Sequence, residues 1–145
     1  MPHDPAIWRF FDFVNSAGTN PVRKWFIKEL SVQEKSDLVT LLMALQKQTK
    51  TPWDQSDYKS MSNLGERVGE IRLPGSQRIP IRLIGVRDET QLRFTFLIGC
   101  RHKDDIWIPA EARDTAKQRK KDLDNNRGTT SDTKIFDFYQ ETEDQ

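Results

Sequence analysis

Arg101, His102 and Lys103 stand together in FTFLIGCRHKDDIWIPAEARDTAKQR, residues 94 to 119, where an apolar run gives way to charge. His102 is the only histidine beyond the third residue, and an unperturbed imidazole titrates near neutrality. It is the candidate general acid or base; the plain alternative is a solvent-facing loop histidine. Arg72 and Arg82 are candidates to grip phosphate, because a planar guanidinium offers paired donors to two oxygens at once. Their plain alternative is cross-strand pairing with Glu70 and other acids, worth little at a surface. Glu70 either partners the base or orients Arg72. Arg101 and Lys103 flank His102 and point to alternate sides from it if the strand continues. Trp107 either stacks on a nucleobase or packs under the last helix. No Cys/His pair has zinc spacing, so neither a metal site nor a cofactor is expected.

Such side chains need rigid elements to aim them. AIWRFFDFV, residues 6 to 14, is rich in aromatic and branched residues and too short for a helix, which predicts a strand. Asn20 before Pro21 predicts a helix start, with Val22, Trp25, Phe26 and Leu30 along one face. Ser31 with Glu34 three residues later has the capping-box pattern, and Leu38, Leu41, Leu42 and Leu45 follow at helical spacing. After the polar loop TPWDQSDYKS come three strand candidates, RVGEIRL, IPIRLIGV and LRFTFLI. Their alternation places Ile71 with Leu73 opposite Glu70 and Arg72. It places Ile79, Ile81 and Leu83 opposite Arg82 and Ile84, and it groups Leu92, Phe94, Phe96 and Ile98. Pro80 removes a ladder donor and predicts an edge or a bulge nearby. A last helix is expected from Pro109, with Glu111 in its first turn.

The expected order is β-α-α-β-β-β-α, an α+β domain with a small antiparallel sheet and helices packed on one face. Residues 1–124 form that domain, and the turn-rich, acidic residues 125–145 are expected to be a disordered tail. The 145-residue chain carries a formal net charge of +1, but the charge is unevenly spread. Gly65 to Lys121 holds thirteen Lys/Arg against eight Asp/Glu, and Asp122 to Gln145 holds two against seven. A basic body suits a polyanion. Ile135, Phe136, Phe138 and Tyr139, set among acids, could fold back on that basic face. A lone cysteine, the absence of a basic-then-apolar leader in MPHDPAIWRFFDF and the lack of a long apolar run predict a cytoplasmic protein without a membrane span.

LGERVGEIRL, IPIRLIG, FTFLIGCRHK and PAEARDTAKQR, in that order and at these spacings, resemble the RelE/ParE/HigB superfamily of bacterial toxins. The HigB-type, phage-Gp49-like branch is the most similar, over roughly residues 20 to 122. The resemblance implies a RelE-like fold. It also implies a type II toxin-antitoxin toxin that acts as a ribosome-dependent mRNA endoribonuclease and inhibits translation. Its partners would be mRNA on the ribosome and a cognate antitoxin, a helix-turn-helix protein from the adjacent gene. Histidine beside a basic residue at this strand end is similar to the HigB-like members that use histidine. Lys103 occupies the second place of the family's basic pair, which makes it, with His102, Arg82 and Arg72, a catalytic candidate. Arg101, Glu70 and Trp107 are then RNA-binding candidates. RNA cleavage of this kind needs the 2′-hydroxyl deprotonated, the 5′-oxygen protonated and the phosphorane charge balanced. Asp104 and Asp105 depart from the pattern, as does the lack of any tyrosine between Tyr58 and Tyr139. The alternative reading is a non-nuclease binding protein of the same fold, a ParE-like DNA gyrase inhibitor or a toxin homologue without catalysis.

Overall fold

The computed structural model of the chain describes residues 7–49, 53, 56–75 and 79–137. Both early helices begin where their caps predict. In α1 (Pro21–Glu29) the Asn20 side chain accepts from the Arg23 N–H, with Pro21 opening the first turn. In α2 (Val32–Gln46) Ser31 and Glu34 close the reciprocal capping box at 3.1 and 3.0 Å.

The sheet overturns the RelE-like β-α-α-β-β-β-α expectation. Among the described residues its strands are seven: β1 (Arg9–Asn15), β2 (Tyr58–Ser60), β3 (Val68–Leu73), β4 (Ile81–Asp88), β5 (Arg93–Lys103), β6 (Ile106–Ile108) and β7 (Gly128–Asp132). The sheet is mixed, in the order β2-β3-β4-β5-β1-β7, with β6 also paired to β5. β1 runs parallel to β5, and every other pairing is antiparallel. The domain is α+β, but far richer in sheet than expected.

The helices do not share one face. α1 and α2 bury Val22, Phe26, Leu38 and Leu42 against Phe10, Ile71, Leu83, Phe94 and Phe96. The last helix, α3 (Ala112–Asp124), lies on the opposite face, where Ala112 and Ala116 pack against Phe13, Ile84, Ile98 and Cys100. It starts three residues after Pro109, whose carbonyl accepts from the Ala112 N–H. It ends through Asn126 at φ +59°, with the Arg127 N–H returning to the Asp122 carbonyl at 2.7 Å.

A β-bulge explains how one strand serves both cores. Ile84 faces Ile98 and Gly85 faces Phe96, so Leu97 is an extra residue in β5. Before the bulge Phe94 and Phe96 point towards α1 and α2; after it Ile98 and Cys100 point towards α3. The expected grouping of Ile98 with Phe96 therefore fails. A one-residue offset moves every later side chain to the other face.

Nor are residues 128–137 a disordered tail. β7 pairs with β1 from Asn15↔Gly128 to Phe11↔Asp132. Ile135 is fully buried in the main core, and the Phe136 ring meets Phe10 edge-on at 6.1 Å. Asp12 secures this segment: its buried carboxylate accepts from Asn20 Nδ2 and from the Lys134 N–H, each at 2.8 Å. Ile135 and Phe136 are thus core residues rather than a lid on a basic face. Phe138 and Tyr139 lie outside the described residues.

Candidate functional site

The bulge at Leu97 decides which charged residue of β5 meets those of β3 and β4. Beyond it, Cys100 stands opposite Arg82, and Arg82 stands opposite Arg72. His102, two residues on, shares the face of Cys100, while Arg101 turns to the other side. Without the extra residue, His102 would point towards α1 and α2. Bulges often re-aim a side chain beside a functional site.

His102, Glu70, Arg72 and Trp107 line a single cleft of about 390 Å³, together with Lys59 and Arg113. His102 and Trp107 are cross-strand neighbours in the β5–β6 hairpin. Their rings stack at 3.7 Å between centroids and 11° between planes. Trp107 also packs against the core beneath α3, the second of its two alternatives, and the face it stacks is that of an imidazole. The Arg113 guanidinium lies 5.1 Å from the Trp107 ring, close enough for a cation–π contact.

The hairpin also fixes the histidine tautomer. His102 Nε2 lies 2.6 Å from the Asp104 carbonyl oxygen. A carbonyl only accepts, so Nε2 carries the proton and donates, and in the neutral form of the ring the lone pair is on Nδ1. The tight turn that brings this carbonyl round has Asp104 at φ +55°, a left-handed conformation that Asp and Asn tolerate better than most side chains.

Glu70 forms the polar floor. It is 2% exposed, and its Oε1 accepts from Arg72 Nε at 3.1 Å and lies 3.6 Å from Arg82 Nε. Its Oε2 is buried without a hydrogen-bond partner. Arg72 is thereby oriented while part of its fork stays exposed to the cleft. Arg82 is placed differently from the expectation. Its side chain is 15% exposed, Nη1 donates to the Ile81 carbonyl at 2.9 Å, and burial holds its pKa below the usual value. It lines a neighbouring pocket of about 240 Å³ with Arg72 and Pro80, outside the cleft lining but beside Glu70 and Arg72.

Two expected residues lie elsewhere. Arg101 is buried on the opposite face, where its fork grips both Glu34 carboxylate oxygens at 2.7 Å. Its remaining donors reach the Ile79 and Glu29 carbonyls. Lys103 is exposed at the end of β5 with the same alternation as Arg101, outside the cleft lining. Sequence reasoning missed Lys59 and Arg113. Lys59 gave no signal. Arg113 gave one: it is a cation in the first turn of a helix, where the backbone dipole favours anions. Asp104 and Asp105 sit on the rim, so the cleft is not uniformly positive. Cys100, buried behind Arg82, has a thiol whose pKa burial pushes up to about 12.

Among the described residues, no group of three or more His, Cys, Asp or Glu is arranged to hold a metal ion. No helix among them is long and apolar enough to cross a membrane. Comparisons with protein-family models, with curated proteins and with solved structures give no match.

Proposed function

We propose that this protein is an endoribonuclease that cuts messenger RNA by internal attack of a ribose 2′-hydroxyl, and that it works on the ribosome as a toxin restrained by a cognate antitoxin. The observation that carries the nuclease reading is the His102 geometry. An imidazole is clamped flat on Trp107, its Nε2–H is held by a carbonyl, and the ring lines a cleft that also holds Arg72 and Arg113.

In this reading Nδ1 removes the 2′-hydroxyl proton as the 2′-oxygen bonds to phosphorus. The P–O5′ bond breaks, the 5′-oxygen takes a proton from water at the cleft mouth, and a 2′,3′-cyclic phosphate remains. Arg72 and Arg113 balance the negative charge that builds up on the phosphorane oxygens. Glu70 holds Arg72 in place. Arg82 acts as a positioning residue, through Glu70 and Arg72. The ribosome and antitoxin parts of the proposal rest on the sequence resemblance to HigB-like toxins.

Mapping RNA 5′ ends after brief induction tests the reading. Wild-type protein is expected to arrest growth and to generate new internal ends in translated messages. His102→Ala and Arg72→Met should abolish those ends while the purified proteins keep wild-type circular dichroism. Growth arrest with intact transcripts would instead favour a binding protein that poisons another target.

A further inference from the structure

On the other side of β5 from its β4 neighbour, the sheet has a gap. β1 accompanies β5 only as far as Phe96, and β6 joins it only at Arg101. On the β4 side the His102 N–H donates to the Pro80 carbonyl, and Cys100 and Ile98 face Arg82 and Ile84. In an antiparallel ladder these alternate residues direct their peptide groups towards β4. The peptide groups of Gly99 therefore point away from β4, on the side where Gly99 lines a groove of about 410 Å³. Arg119 Nη1 holds the Leu97 carbonyl at 2.8 Å, whereas among the described residues no strand pairs with Gly99 on this side.

The walls of the groove are chemically distinct from those of the His102 cleft. Trp25 lies so close that a Cβ on Gly99 would fall 2.1 Å from its indole, so this strand position accepts only glycine while the ring stays there. Ile98 and the 49% exposed Ile108 add apolar surface. Lys24 and Lys28, one turn apart on α1 and both exposed, stand with Arg119 against the single acid Glu29. Arg101 adds no free charge, being bound to Glu34. An open strand edge, apolar walls and a cationic border are complementary to a peptide strand with acidic side chains. We infer that this groove binds an extended peptide segment of a partner protein, carrying carboxylates alternating with apolar side chains, as an added strand alongside Gly99. No residue lines both clefts, so the groove and the nuclease centre can succeed or fail separately.

The full chain is tested by fluorescence anisotropy with a labelled nonapeptide alternating glutamate with isoleucine or valine, beside a labelled oligouridylate of equal length. The peptide is expected to bind with a micromolar Kd and to protect the Gly99 amide from hydrogen exchange. The pair Lys24→Glu and Lys28→Glu should weaken it by roughly tenfold or more, about 1.4 kcal/mol or more, without changing RNA cleavage. Methylating the peptide's amides at alternate positions should weaken one register far more than the other, because only one set of amides can face Gly99. Absence of binding at about 1 mM peptide, or binding indifferent to both lysine changes, overturns the proposal. So does oligouridylate in place of peptide as the ligand lost on charge reversal, which would make the groove a nucleic-acid surface. A chain ending at Asp137 that binds the peptide about tenfold tighter would show residues 138–145 to be the natural occupant, and would overturn the partner-protein form.

Discussion

Replacing Arg101 with Met separates a phosphate-binding role for this residue from a structural one. Arg101 is 6% exposed and Glu34 is fully buried, and the two are joined by a pair of 2.7 Å bonds. The guanidinium holds the Glu34 carboxyl down to about 2 from its ordinary 4.5, against the opposing effect of burial. At about 1.4 kcal/mol for each pH unit, that fall corresponds to about 3 kcal/mol of stability. Because the folded-state value is the lower one, the contribution is complete above about pH 4.5 and is lost as the pH drops towards 2. Arg101→Met strands a buried carboxylate, so we expect a loss of about 3–5 kcal/mol at neutral pH. Adding Glu34→Gln should restore about half of it or more, since the leftover charge is gone. Urea unfolding followed by tryptophan fluorescence at several pH values reads both effects. The wild-type slope between pH 4.5 and 2 should flatten in the single variant. A single variant within about 1 kcal/mol of wild type, with that slope intact, would refute the assignment.

Three further outcomes follow from the same geometry. Ile135→Ala should cost about 2–5 kcal/mol and speed hydrogen exchange in β7; exchange in Thr129 and Thr130 indistinguishable from wild type would contradict their integration into the sheet. Cys100, with its thiol pKa raised to about 12 by burial, should resist iodoacetamide at pH 8 in the native protein and react at once in urea. Asp104→Asn with Asp105→Asn removes two rim charges and keeps the carbonyl that holds His102. RNA affinity measured at low salt should rise severalfold, with a steeper salt dependence.

Local signals in the sequence were read well where a short stretch contains its own cause. Asn20–Pro21 and Ser31–Glu34 mark helix starts because capping needs only neighbouring residues. The alternation in RVGEIRL and IPIRLIGV places Glu70, Arg72 and Arg82 on one face, as found. FTFLIGC misled because it is apolar on both sides: α3 covers the face that was expected to be open, so nothing in the pattern marks the bulge at Leu97. That one extra residue exchanges the orientations of Arg101 and His102, and with them the roles of the pair. β6 and β7 were invisible for another reason. IWI is only three residues long, and GTTSD has almost no hydrophobic content. Each is held by a neighbour distant in the chain or by a turn. The burial of Ile135 that anchors β7 is a tertiary effect that no window over residues 125–145 contains.

The chemical end left on the RNA tests the nuclease account most directly. Purified protein is mixed with ribosomes translating a defined message, and the upstream fragment is analysed by mass spectrometry. The account predicts a 2′,3′-cyclic phosphate, with a 5′-hydroxyl on the downstream fragment, and the loss of both with His102→Gln. A 3′-hydroxyl with a 5′-phosphate, or cleavage undiminished by His102→Gln, would contradict it.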